Sequence, residues 1–158
     1  MTYLKQFGVG AAMSKELFYY IRNTLEIDKI ILELGSGWTS GELSKFYAVY
    51  SVEDNQQWLN KFKTHYIHAP IKNGWFDIEV FKKQLPSKYD LIIVDGPAGH
   101  IGRSGFFKNL DLFNTNIPII FDDVNRKSEY DLMCDVAKKL NRTYTIFPDS
   151  KGGQFGVV

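Results

Sequence analysis

A chain of 158 residues, 44% hydrophobic and 23% charged, has the size of one domain and the apolar content for a sizeable core, which argues against a disordered chain. Nineteen Lys and Arg against eighteen Asp and Glu leave a net charge of +1, which gives no electrostatic case for nucleic acid or an anionic membrane as the main partner. No apolar run approaches the roughly 20 residues of a membrane span, and Met1 to Gln6 lack the charged-then-apolar layout of a secretory signal, so a soluble cytoplasmic protein is expected.

In chain order, Ser14 is placed to cap a helix running to Leu25, with Leu17, Phe18, Ile21 and Leu25 on one face. Residues 30–34 read as a strand, and a helix begins near Ser40. A second buried strand covers 47–52, followed by a helix over 55–62 and a short strand over 65–68. Residues 76–84 read as helix and 89–94 as a strongly apolar strand. Beyond a glycine-rich loop, a helix is predicted over 106–112 and a strand over 117–121. Residues 128–140 are amphipathic, with Tyr130, Met133, Val136, Ala137 and Leu140 in phase. The single cysteine, Cys134, falls in that helix and reads as core, which excludes an internal disulfide and a thiolate metal cage. Strands over 143–147 and 154–158 close the chain. The link from Pro148 to Gly153 is turn chemistry, too short for a crossover helix, so these two run antiparallel. Helix alternating with strand, without linker or repeat, implies one α/β domain over residues 1–158, its largely parallel sheet covered on both faces.

The segment Ile30-Ile31-Leu32-Glu33-Leu34-Gly35-Ser36-Gly37 is an apolar strand delivering its backbone to a ligand. Glycines at 35 and 37 remove Cβ atoms that would hold a ligand off the main chain, and Ser36 with the following helix start offers free N–H groups. The second strand ends at Glu53-Asp54, about 20 residues on, where a carboxylate can take both hydroxyls of a ribose. In a nicotinamide-binding turn the third glycine falls at position 40, which here is Ser40, with Gly41 one residue late. Glu33 before the turn suits a ligand with a free amino group better than a pyrophosphate, which two nearby acids would repel. S-adenosylmethionine has that amino group and no phosphate.

Asp95-Gly96-Pro97 follows the fourth strand and Asp122-Asp123 the fifth, so three acids converge on the carboxyl edge of the sheet. Like charges so close raise one another's pKa unless a cation or donor offsets them. A hard divalent ion such as Mg²⁺, held by Asp95, Asp122 and Asp123, would do so.

Seven strands, parallel except for a reversed final one, resemble the three-layer Rossmann-like fold of class I S-adenosylmethionine-dependent methyltransferases. Leu32-Glu33-Leu34-Gly35 with Asp122-Asp123-Val124 is similar to the catechol-type cation-dependent O-methyltransferases, and this implies Asp95, Asp122 and Asp123 as metal ligands. That group carries a lysine base soon after the aspartate, where this chain has Gly-Pro-Ala-Gly-His. The run Val49 to Asp54, then Trp58, Asp95-Gly96-Pro97-Ala98-Gly99 with Gly102-Arg103, and Asp123-Val124-Asn125-Arg126 resembles the glucuronoxylan O-methyltransferase group. Asp122 stands where that group has a histidine. The resemblance implies methyl transfer to a hydroxyl of a small molecule or glycan, assisted by a divalent cation.

Within that expectation, Glu33, Gly35, Ser36, Gly37, Glu53, Asp54, Trp58 and Asp95 bind the cofactor, and Asp95, His100 and Arg103 serve catalysis. His100 is the general-base candidate because its reference pKa is near neutral. Arg103 has five donors suited to an acceptor's carboxylate, and Arg126 is expected to pair with Asp122 or Glu129. Trp75 and Phe76 are candidates for an adenine or acceptor wall, and exposed aromatics for an acceptor groove or a homodimer interface. Two other classes remain open: a cofactor-binding module without chemistry or in need of a partner subunit, and a nicotinamide-dependent oxidoreductase, which would need a substrate domain.

Overall fold

Ser14 turns the chain into its first helix: its Oγ accepts the N–H of Leu17 at 3.2 Å, and α1 spans Lys15–Thr24. The computed structural model describes residues 7–8 and 12–158, so Met1 to Gln6, read above for a signal, lie outside it. The elements that follow are β1 (Ile30–Leu34), α2 (Trp38–Leu43), β2 (Ala48–Glu53), β3 (His65–His68), β4 (Ile71–Lys72) and β5 (Trp75–Phe76). Then come α3 (Ile78–Gln84), β6 (Leu91–Val94), α4 (Gly105–Lys108), β7 (Ile119–Phe121), α5 (Lys127–Lys139), β8 (Thr145–Pro148) and β9 (Gln154–Val157).

Seven strands form one sheet in the order β3-β2-β1-β6-β7-β9-β8. Neighbours from β3 through β7 are parallel, and β9 runs antiparallel to both β7 and β8. The register aligns Leu34 with Val52 and Val94, and Val94 with Phe121, so β1, β2, β6 and β7 end level. That alignment brings the residues after each strand to one edge.

Apolar side chains cover both faces. Leu32, Leu34, Val52, Ile92, Val94 and Phe121 pack with Phe81, Phe106, Met133 and Val136, beneath α3, α4 and α5. Ile31, Val49, Leu91, Ile93 and Ile120 pack on the other face with Leu17, Phe18 and Ile21 of α1 and Leu43 of α2. Cys134 packs against the first of these clusters while only partly buried. Among the described residues no helix is long and apolar enough to cross a membrane.

Two segments depart from expectation. Residues 55–62 form only a 3₁₀ turn over Gln56–Trp58, capped by Asn55 Oδ1 accepting from Gln57 N–H at 3.0 Å. Asn60 then takes a φ of +61°, which ends helical propagation. The stretch after β3 folds into the β4–β5 hairpin because Asn73 and Gly74 both adopt left-handed φ, +56° and +82°, as a tight turn of Asn-Gly requires. The helix expected from Phe76 therefore starts two residues later, capped by Asp77.

Candidate functional site

The strand ends carry the site. Hydrogen bonds run one residue past the strands, with Gly35 N–H to Val52 O at 2.8 Å, Asp95 N–H to Leu34 O at 3.0 Å and Asp122 N–H to Val94 O at 3.1 Å. Gly35 has a φ of +96°, and a Cβ there would stand 3.1 Å from the carbonyl of Asp95. Its missing side chain admits the neighbouring loop as well as any ligand.

A cavity of about 400 Å³ opens on this edge between the ends of β1, β2 and β6. Of the residues assigned to the cofactor by sequence, Gly35, Ser36, Glu53, Asp54, Trp58 and Asp95 line it, as does His100, assigned to catalysis; Gly96 to Ala98 of the Asp-Gly-Pro motif complete the lining with Asn55 and Ile101, which the sequence did not single out. Glu53 is held at both oxygens. Oε1 accepts from Asn55 N–H at 2.9 Å, and Oε2 accepts from Ser36 N–H at 3.1 Å and from the Ser36 hydroxyl. Burial and then the Glu53 charge push the neighbouring Asp54 upward. Trp58 is half-buried, with Lys61 Nζ 4.5 Å from its ring centroid. His100 is exposed on the outer lip.

A second cavity, of about 250 Å³, shares Ser36, Asp95 and Ala98 with the first and continues to Arg103, Asp122, Asp123 and Arg126. Carboxylate oxygens of Asp95, Asp122 and Asp123 come within 4.8 Å of one another. Asp123 adopts a φ of +59°, which short polar side chains tolerate, and its N–H bonds Asp122 Oδ1 at 2.9 Å. Burial, then the Asp122 charge, raises Asp95 well above the usual carboxylate range. Burial and Asp123 push Asp122 up to about 6.

Arg103 is not available to an acceptor's carboxylate. Its side chain is 5% exposed, and its Nη2 lies 3.0 Å from Asp123 Oδ2 and 3.4 Å from Asp95 Oδ1. Nη1 donates to the Asp122 carbonyl at 3.2 Å and Nε to the Pro97 carbonyl at 3.4 Å. Arg126 pairs with Asp123 at 3.2 Å, not with Asp122 or Glu129 as expected.

Three further expectations need correcting. Glu33 lines neither cavity: it points to the α1/α2 face, 4% exposed, where the Ser51 hydroxyl bonds it. The alternation of β1 sends Leu32 and Leu34 to the opposite face, so Glu33 lies beneath the turn, not in front of it. Gly37 caps α2, its N–H donating to Ser40 Oγ at 3.0 Å, and also stays outside both cavities. Trp75 and Phe76, 4% and 1% exposed, belong to the core and line neither of these cavities, but border a separate one of about 290 Å³ with Lys72, Asn73 and Asp77.

The strand order, the reversed β9 and the glycine turn after β1 define the Rossmann-like fold of class I methyltransferases. No protein-family model and no curated protein matches the chain. Among solved structures, the METTL16 MTase domain aligns at 11% identity over 97% of this chain and 69% of that one, with a TM-score of 0.63. The E. cuniculi Mtq2–Trm112 complex, responsible for methylation of the eRF1 translation termination factor, contains a chain with 16% identity. It aligns over 89% of this chain and 88% of that one, with a TM-score of 0.55. The human methyltransferase 10 domain containing protein gives 10%, 90%, 79% and 0.56 in the same order. At such identities the likeness carries the fold.

Proposed function

We propose that the chain is an S-adenosylmethionine-dependent methyltransferase. The observation that carries this reading is the pair of cavities meeting at Ser36, Asp95 and Ala98: one is lined by a ribose-suited carboxylate and the other by acids. The cofactor, when bound, supplies a methyl group already activated on a sulfonium, which leaves alignment and proton removal to the protein.

Glu53 is the residue to hold the ribose, its Oε2 here accepting from the Ser36 hydroxyl. Trp58 flanks the base. The acceptor enters the acidic cavity, where the Asp122 carboxyl, pushed up to about 6, suits removal of a hydroxyl proton near neutral pH. His100, on the lip of the other cavity, is the competing base. A small-molecule or glycan hydroxyl remains the acceptor class we favour. A protein acceptor or partner subunit is the alternative, supported by the fold's likeness to a chain of the Mtq2–Trm112 complex.

A divalent ion would draw its oxygens from Asp95, Asp122 and Asp123, which lie close enough together. The fit is poor, because the guanidinium groups of Arg103 and Arg126 already sit against two of these carboxylates.

Titration calorimetry with S-adenosylhomocysteine, using NADH as control, tests the proposal. Micromolar binding of the former alone supports it. NADH binding, or neither ligand binding, overturns it.

A further inference from the structure

We propose that the guanidinium of Arg103 fills the position a divalent cation would need between Asp95 and Asp123, making this a metal-independent site. Four oxygens from four residues meet that one group: two carboxylates, Asp95 and Asp123, and two main-chain carbonyls, Pro97 and Asp122. They come from the loops after both β6 and β7, so a single side chain ties the two loops together. A hard divalent ion demands carboxylate oxygens at roughly 2.0 to 2.6 Å. It would have to take the oxygens that Nη2 now contacts at 3.0 and 3.4 Å, placing two cations against each other. Expelling the arginine instead would break all four bonds.

The backbone presents Arg103 to this position from both sides. Gly102 has a φ of +90° with open space where its Cβ would be, so conformation, not packing, calls for glycine. Gly105 lies on Trp75, where a Cβ would stand 2.1 Å from the ring's Cγ, which fixes the chain just after Arg103. The consequence is a division of labour among the acids. Asp95 and Asp123 are held by arginine, while Asp122 has no ion pair among the described residues and faces the cavity.

Only the consequence for catalysis rests on the methyltransferase reading; the placement of the cation does not. The test is a Mn²⁺ titration of the metal-stripped full chain, followed by the paramagnetic resonance of free Mn²⁺, for wild type, Asp122→Asn, Arg103→Gln, Arg103→Lys and the double variant Arg103→Gln/Asp122→Asn. Wild type and Arg103→Lys are expected to show no saturable site at millimolar Mn²⁺. Arg103→Gln should gain a site tighter by about tenfold or more, lost again in the double variant. A saturable wild-type site that Asp122→Asn removes overturns the proposal, as does a folded Arg103→Gln that gains no Mn²⁺. Should Arg103→Gln not fold, the comparison of wild type with Asp122→Asn decides alone. Binding of S-adenosylhomocysteine is measured on the same samples. A wild type that binds neither metal nor this ligand fails the methyltransferase reading and leaves the Arg103 assignment standing.

Discussion

A Cβ on Gly96 would stand 2.8 Å from the Cα of Gly35, so the turns after β1 and β6 meet main chain to main chain. The contact is rigid on both sides, because Gly35 also holds a φ of +96°. Gly96→Ala is expected to lower stability by about 1 to 3 kcal/mol, the usual range for overpacking, and to weaken S-adenosylhomocysteine binding by parting the two loops. Urea denaturation and calorimetry on the same variant check both. Unchanged stability would mean that the loops separate freely.

Glu53 accepts three hydrogen bonds from the turn and from Asn55. Replacing it with alanine should cost about 1 to 3 kcal/mol of S-adenosylhomocysteine affinity, as expected for loss of charge-assisted bonds to a ribose. Equal affinity for wild type and Glu53→Ala would remove the ribose assignment.

Burial, partly offset by the Ser40 and Ser51 hydroxyls, pushes Glu33 from 4.5 to about 7. The folded-state value lies above the unfolded one, so the folded chain keeps a proton that the unfolded chain releases. Stability from this group is full below about 4.5 and falls as pH rises to about 7, by about 3 kcal/mol in all. Asp122, raised from 3.8 to about 6, adds slope in the same direction at lower pH. Glu33→Gln should therefore match wild type near the acid end of this window and exceed it above neutrality. Urea midpoints across the window measure this, and parallel curves for the two proteins would count against it.

Glycines at two positions differ in what surrounds them. At Gly105 a Cβ would meet the Trp75 ring, whereas at Gly156 it would meet Met133 Sδ, also at 2.1 Å. A thioether side chain can swing aside and a packed indole cannot. Gly105→Ala should cost more than Gly156→Ala, by about 1 kcal/mol or more. Thermal melts of both variants rank them.

Element order and the reversed β9 were legible because continuous apolar runs mark buried parallel strands, and the link before β9 is too short to cross over. The acids at 53, 95, 122 and 123 were legible for a related reason: topology alone carries the residues after parallel strands to one edge. The position of Glu33 could have been read from strand parity, since it shares the face of Ile31. Asn73-Gly74 is a hairpin signal present in the sequence itself. The role of Arg103 was not legible, because it depends on how a loop folds back over strands distant in sequence.

The sheet has two outer strands, β3 and β8, and each is only four residues long. Pro148, in β8, has no N–H to offer. Exposed Lys61 and Lys63 stand just before β3. Short, charged or proline-ended margins give an approaching chain few free rungs to pair with. Two copies therefore have little ladder with which to continue one sheet into the next, and the molecule is protected against fibrous growth along its strand-pairing direction.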